Sequence, residues 1–314
     1  MTMVTTTLKT NLYRPKAVKK GDTLGVVAPA RWLDDSALET GVKAIEELGF
    51  QVKVHPHCYK RNHHFAGTDA TRAAALADAF RDPQIDGIIC ARGGTGSMRL
   101  HTLLDGDSIA KHPKALSGFS DITALHYILR QQSNLITYHG PLVWNFATYN
   151  DEWTNQVFKE VMGHKQANLT HPQAKPLRIG NAEGPLIGGN ISLLCSLLGT
   201  PYAPDVTGAI LFIEDIDEEL ARIDRQLQQL AAAGWFDKIA GLIIGESVTL
   251  DTLFGTPFGQ SFEEQLLSHI PRSGVPVIYN YPCGHTKSIA TFPIGLTARL
   301  QTHMSSYTLE LPQE

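Results

Sequence analysis

Apolar positions along the chain switch between two periods. Leu24-Gly-Val-Val-Ala28, Ile85-Asp-Gly-Ile-Ile-Cys90, Ala209-Ile-Leu-Phe-Ile213 and Ile239-Ala-Gly-Leu-Ile-Ile-Gly245 are short runs with few or no polar breaks, the pattern of strands buried on both faces. Between the first two, Leu38, Val42, Ile45 and Leu48 recur at helical spacing and Gly49 closes the helix. Phe50-Gln-Val-Lys-Val54 alternates like a strand. The Ala-rich stretch from Asp69 to Phe80 predicts a helix capped by Thr68 or Asp69. Strands separated by amphipathic helices imply βαβ units and a parallel sheet covered on both faces. Ligands of such sheets bind outside the C-terminal strand ends, so the loops after Ala91 and Gly118 are the informative ones.

The first half continues with an apolar start at Ala115 that turns at Ser120 into helical spacing through Leu125, Ile128 and Leu129, then a strand over Leu135 to Tyr138. From Thr148 to Ile179 the pattern breaks: after a helix around Glu152 to Met162, polar residues, Pro172 and Pro176 dominate. The second half opens with Gly184-Pro-Leu-Ile-Gly-Gly-Asn190 and an apolar helix from Ile191 to Leu198. The strand over Ala209 to Ile213 leads into an acidic stretch and a long amphipathic helix. Pro276-Val-Ile-Tyr279 makes a late strand, and Thr297 to Leu311 alternates like edge strands. The expected fold class is α/β: an N-terminal parallel-sheet domain with flanking helices plus a smaller C-terminal α/β domain rich in β-strands. The expected divisions are a loose tail over 1–20, the first domain over 21–150, a linker over 151–183 and the second domain over 184–314.

Composition narrows the function classes. The 314 residues are 43% hydrophobic and 18% charged, an ordinary globular balance with ample material for a core. A net charge of −4 gives no support for a nucleic-acid or membrane-surface partner. No apolar run approaches the roughly 20 residues of a membrane helix, and the polar, Thr-rich start lacks the apolar centre of a secretory signal, so a cytoplasmic protein is expected. Cys58, Cys90, Cys195 and Cys283 are widely spaced, with no paired-Cys motif. Cys90 and Cys195 fall in apolar runs as reduced core residues. His55, His57, His63 and His64 lack a metal-ligand spacing and read as a solvated loop; no metal and no cofactor are expected.

Four places could carry chemistry. Ser120 stands at a strand-to-helix corner, which suits either a simple helix cap or a hydroxyl held at a helix N-terminus. Arg92-Gly93-Gly94-Thr95-Gly96-Ser97 is either a turn or a loop whose backbone N–H groups meet an anion. Glu214-Asp215 follows an apolar strand, where both a catalytic carboxylate and a first-turn cap are at home. His285 follows Gly284 at another strand end. Taken in order, Ser120, Glu214 and His285 suit a serine hydrolase. The pentapeptide Gly118-Phe-Ser-Asp-Ile122 lacks the second glycine of the α/β-hydrolase elbow, so a standard α/β-hydrolase assignment fails.

The chain resembles the LD-carboxypeptidase family of serine peptidases, which also includes the microcin C immunity peptidases. The resemblance rests on motifs in family order: Ala91-Arg-Gly-Gly-Thr-Gly96 with Arg99-Leu100, Gly118-Phe-Ser-Asp-Ile-Thr123, His139-Gly-Pro141, Gly188-Gly-Asn190, Gly199-Thr-Pro201, Phe212-Ile-Glu-Asp215, Asp224-Arg225, Gly241-Leu-Ile-Ile-Gly245, and Gly284-His285 followed by Phe292-Pro-Ile-Gly295. It implies that Ser120 is the nucleophile, His285 the general base and then acid, and Glu214 its orienting partner. The backbone N–H groups of Gly94 and Asp121 would form the oxyanion hole. It also implies a homodimer and a peptide or muropeptide substrate, from which a C-terminal D-amino acid such as D-Ala is released in cell-wall recycling. Two alternatives accompany it: an immunity peptidase cleaving aminoacyl-nucleotide conjugates, and a non-catalytic protein binding an anion at Gly93-Gly94. Thr95, where the family has an aromatic residue, and Ala30, where Ser is common, depart from the pattern.

Overall fold

In the computed structural model, residues 12–250, 257–270 and 274–312 are described. The first half forms strands β1 (Thr23–Val27), β2 (Gln51–Val54), β3 (Gly87–Cys90), β4 (Ala115–Gly118) and β5 (Tyr138–His139), with helices α1 (Asp35–Glu47), α2 (Asp69–Arg81), α3 (Gly106–Lys111), α4 (Ile122–Ser133), α5 (Val143–Thr148) and α6 (Glu152–Met162). These strands pair in parallel in the order β2-β1-β3-β4-β5. β1, β3 and β4 are almost wholly buried, as their apolar runs require, whereas β2 alternates and lies at the edge. Caps fix the helix starts: the Asp34 carboxylate accepts the Ser36 N–H at 3.1 Å, and the Thr68 hydroxyl accepts the Thr71 N–H at 3.2 Å.

The second half forms β6 (Lys175–Arg178), β7 (Gly180–Asn190), α7 (Ile191–Leu197), β8 (Ile210–Glu219), α8 (Leu220–Ala232), β9 (Gly241–Leu250), α9 (Phe262–His269), β10 (Val277–Tyr281), β11 (Phe292–Pro293), β12 (Thr297–Thr302) and β13 (Tyr307–Glu310). Its sheet runs β13-β12-β7-β8-β9-β10-β6, parallel from β7 to β10 and antiparallel at both edges. The molecule is therefore an α/β protein with two sheets. The stretch read as a linker contains α6 and β6. Of the strand expected over Leu135 to Tyr138, only Tyr138 pairs in the sheet, which then takes in His139, while Leu135 makes an isolated bridge to Tyr13. Residues 1–11 of the expected tail lie outside the described residues; further along it, Val18 is buried and its N–H donates to the Met162 carbonyl.

The two sheets are stitched together by chain returning from the second to the first. β11 pairs antiparallel with β5, Phe292 opposite His139. Phe292 is fully buried and its ring lies 5.1 Å from Phe212 of β8 and 5.5 Å from Tyr281 of β10. α4 docks on β7 through Tyr127, whose hydroxyl donates to the Gly188 carbonyl and accepts the Gly188 N–H, each at 2.8 Å. Only glycine allows that approach: a Cβ on Gly189 would sit 2.5 Å from Thr123 Cγ2.

All four cysteines are free and buried. Of the four histidines read as a solvated loop, His57 departs. The short helical turn Pro56–Tyr59 tucks its ring beneath β1, where it accepts the Ala28 N–H at 3.0 Å and burial pushes its pKa down to about 4. Among the described residues, no group of three His, Cys, Asp or Glu is placed to hold a metal ion, and no helix is long and apolar enough to cross a membrane.

The bridging role of Phe292 sets a first expectation. Phe292→Ala removes a ring packed between two sheets and should lower unfolding stability by about 3–5 kcal/mol, read from urea denaturation; a loss below about 1 kcal/mol would show that the sheets dock without it.

Candidate active site

Ser120 follows Phe119 at the end of β4 with φ +62°. L-residues avoid this region at a cost of roughly 1–3 kcal/mol. α4 begins at Ile122, with Asp121 as the residue before it, and neither Ser120 nor Asp121 caps the helix with its side chain. The cap reading of Ser120 thus gives way to another use of its hydroxyl, which lies 3.0 Å from His285 Nε2. Gly93 packs directly on this corner: a Cβ there would fall 2.9 Å from Ser120 Cβ.

His285 lies in the loop between β10 and β11. Its Nδ1 is 2.8 Å from Glu214 Oε2. A carboxylate accepts, so Nδ1 carries the proton and Nε2 is left to accept from the Ser120 hydroxyl. The Phe119 ring, 4.8 Å away between centroids, covers one side of the imidazole. The three side chains singled out from the sequence, 165 and 71 positions apart along the chain, therefore form one hydrogen-bonded line.

Glu214 occupies an irregular point in the second sheet. Ile213 pairs with Ile244, but Asp215 pairs with Ser247, so Gly245 and Glu246 together oppose Glu214. Such bulges re-aim side chains, and here the strand continues to Glu219 rather than ending at Ile213 as its apolar run implied. Glycines make room for the fully buried carboxylate: a Cβ on Gly284 would lie 3.0 Å from Glu214 Oε2, and one on Gly245 would lie 2.9 Å from Glu214 Cβ.

Burial alone lowers the pKa of His285, but the charge and hydrogen bond of Glu214, reinforced by Asp215 and Asp217, more than offset it, and the net shift is upward. Asp215 is buried beside Glu214; burial first and that neighbouring charge second push its pKa up to about 6. It accepts from Asn190 Nδ2 at 3.2 Å and Ser192 Oγ at 2.9 Å, a network that anchors β8 to the start of α7.

The glycine loop is held from below. Asp121 accepts the Ser97 N–H at 2.8 Å on its carboxylate, and Ser97 Oγ donates to the Asp121 carbonyl at 2.5 Å. Buried Arg72 donates to the carbonyls of Pro29 and Gly96 and pairs with Asp69. With the loop so fixed, Gly94 adopts φ +104°. Among the described residues, neither the Gly94 nor the Asp121 N–H donates to a backbone carbonyl. Free donors flanking a hydroxyl are the arrangement that stabilises a developing oxyanion.

Sequence reasoning missed the supports. His139 was noted only within a motif; burial lowers its pKa and keeps it neutral, and its Nε2 donates to the Cys283 carbonyl at 2.7 Å, two residues before His285. Arg72 sat in an Ala-rich helix with no local sign of its role. No local pattern in the sequence marks the Asp121 carboxylate as the acceptor of the Ser97 N–H.

Comparison with known proteins follows the same outline. Models of the LD-carboxypeptidase N-terminal and C-terminal domains match residues 24–140 and 183–300. A probable murein peptide carboxypeptidase of Bacillus subtilis is 37% identical over 302 residues, covering 95% of this chain and 94% of that one. The microcin C7 self-immunity protein of Escherichia coli is 28% identical, over 91% of each chain. The crystal structure of muramoyltetrapeptide carboxypeptidase from Oxalobacter formigenes superposes with a TM-score of 0.79 at 28% identity, covering 92% of this chain and 98% of that one. The chain belongs to the LD-carboxypeptidase family and is a serine-type carboxypeptidase.

Proposed function

We propose that the enzyme hydrolyses the L,D-peptide bond of murein tetrapeptides and releases the C-terminal D-Ala through an acyl-enzyme on Ser120. The observation that carries this reading is the line from Glu214 through His285 to Ser120. His285 Nε2 takes the hydroxyl proton as Ser120 Oγ attacks the scissile carbonyl. Nδ1–H stays on Glu214, which stabilises the imidazolium so formed. The tetrahedral oxyanion is received by the N–H groups of Gly94 and Asp121, worth roughly 3 kcal/mol each. His285 then gives its proton to the leaving amine of D-Ala. Water, deprotonated by the same nitrogen, attacks the ester and frees the tripeptide acid and Ser120.

In this reading the first half of the chain supplies nucleophile and oxyanion hole and the second supplies base and carboxylate. The greater identity to the murein peptide carboxypeptidase than to the immunity protein favours a muropeptide over an aminoacyl nucleotide. The family resemblance also supports a homodimer, which light scattering on the purified protein would show.

Incubation with murein tetrapeptide should release free D-Ala, and Ser120→Ala should reduce the rate by at least about 10³-fold. Absence of release, or release undiminished by Ser120→Ala, would exclude the reading; preferential turnover of an aminoacyl-sulfamoyl nucleotide would shift it to the immunity-peptidase class.

The pH profile follows from His285. The base works only when neutral, and its pKa is raised above 6.5. Thus kcat/KM should rise with pH through a midpoint above 6.5 and fall away on the acid side. Glu214→Gln removes the main interaction that raises the pKa, so it should move that midpoint down while lowering kcat on the order of 10³–10⁴-fold. An unmoved midpoint would assign the titration to another group.

A further inference from the structure

Several arginines meet an acid: Arg61 meets Asp35, Arg72 and Arg99 share Asp69, Arg81 meets Asp78, Arg222 meets Glu218, and Arg299 meets Glu183. Arg31 and Arg92 do not. Both are half-buried, and among the described residues neither has a carboxylate partner. Among the described residues Arg31 Nε, wholly shielded from solvent, has no hydrogen-bond acceptor, and its guanidinium lies by the Trp32 ring, 5.4 Å from Cζ to centroid. The two cations are also close enough to act on each other. Burial, followed by the charge of Arg31, pulls the pKa of Arg92 down. Two like charges kept together, partly out of water and without a counter-ion, cost energy in the free protein. An anionic ligand would recover that energy.

Their place in the fold identifies the anion. Arg92 immediately precedes Gly93, the residue packed on Ser120, and the Arg31 N–H donates to the Gly93 carbonyl at 3.3 Å. The side chain of Arg31 lies along Gly94: a Cβ built there would be 2.8 Å from Arg31 Cβ. Both arginines thus border the loop whose Gly94 N–H faces the oxyanion. In a peptide cut at its last bond, the terminal carboxylate is separated from the scissile carbonyl only by the amide nitrogen and one α-carbon. Planar guanidinium forks match a carboxylate with paired hydrogen bonds.

Resting on the muropeptide reading above, we propose that Arg31 and Arg92 form the subsite for the α-carboxylate of the residue to be released, and so restrict the enzyme to the last bond of its substrate. A chain extended beyond that residue, or one ending in an amide, leaves the two cations unpaired as the substrate docks. Discrimination then comes from an unsatisfied charged site rather than from shape alone.

The test compares murein tetrapeptide with its C-terminal amide, following free D-Ala and D-alaninamide by chromatography. The wild type should prefer the acid by roughly 100-fold or more in kcat/KM, the scale of losing charge-assisted hydrogen bonds at both guanidinium groups. Arg92→Gln and Arg31→Gln should each shrink that preference at least about tenfold, mainly by raising KM for the acid, because the carboxylate is held alike in ground and transition states. Lys at either position should restore only part of it. Release of D-Ala together with equal wild-type turnover of the amide, or variants that keep the full preference, would overturn the subsite and leave the activity standing. No D-Ala from the wild type would overturn the activity and the subsite with it. The wild-type comparison needs no variant, so the proposal stays testable if a substitution hinders folding.

Discussion

Among the hydrogen bonds between the two halves, the one that holds the His285 loop in place is from the His139 ring, at the end of β5, to the Cys283 carbonyl at 2.7 Å. The chain around Cys283 leaves the second sheet at β10, passes His285 and re-enters the first sheet as β11, where Phe292 pairs with His139 again. A loop tethered at both ends to two rigid sheets has little freedom left. That is how a histidine from one sheet is kept within hydrogen-bond reach of a serine from the other. Burial keeps His139 neutral, which suits a structural donor and prevents it from competing with His285 for a proton.

The rest of the site is built by removing side chains as much as by placing them. Gly93 lets its loop lie on Ser120, Gly245 and Gly284 open space for Glu214, and Gly189 brings β7 against α4. Each of these contacts is tighter than a Cβ would allow, and those at Gly245 and Gly284 leave the Glu214 carboxylate enclosed rather than hydrated. Enclosure strengthens the interaction between Glu214 and His285. It also maintains the left-handed conformation of Ser120, which no local preference would favour.

The sequence made the strands and helices of the first sheet legible because each is set by local periodicity and by neighbouring caps. Ser120, Glu214 and His285 were legible as strand-end residues, and the resemblance ordered them into one group. What brings them together was not. The bulge opposite Glu214 depends on the pairing of β8 with β9, and a run of apolar letters followed by acids reads as a strand that stops at Ile213. His139 acts on a carbonyl 144 positions away, and Arg72 acts on the turns at Pro29 and Gly96. Such contacts between distant segments leave no periodic trace. The burial of His57 is hidden for the same reason: its Nε2 meets the backbone of Ala28, 29 positions away, while only its Nδ1 stays with His55 of its own loop.

The return of β11 to the first sheet also limits how this architecture can be taken apart. The segments matched to the two domain families, 24–140 and 183–300, look like exchangeable modules in a linear diagram. In space one edge strand of the first sheet, β11, is encoded in the second segment. Expressed alone, the first segment would present β5 with an open row of amide and carbonyl groups and an uncovered His139, the sort of naked edge that invites intermolecular pairing. Gene fusion or shuffling at the 140–183 boundary would therefore break a sheet rather than swap a unit, so the two segments are constrained to be inherited together.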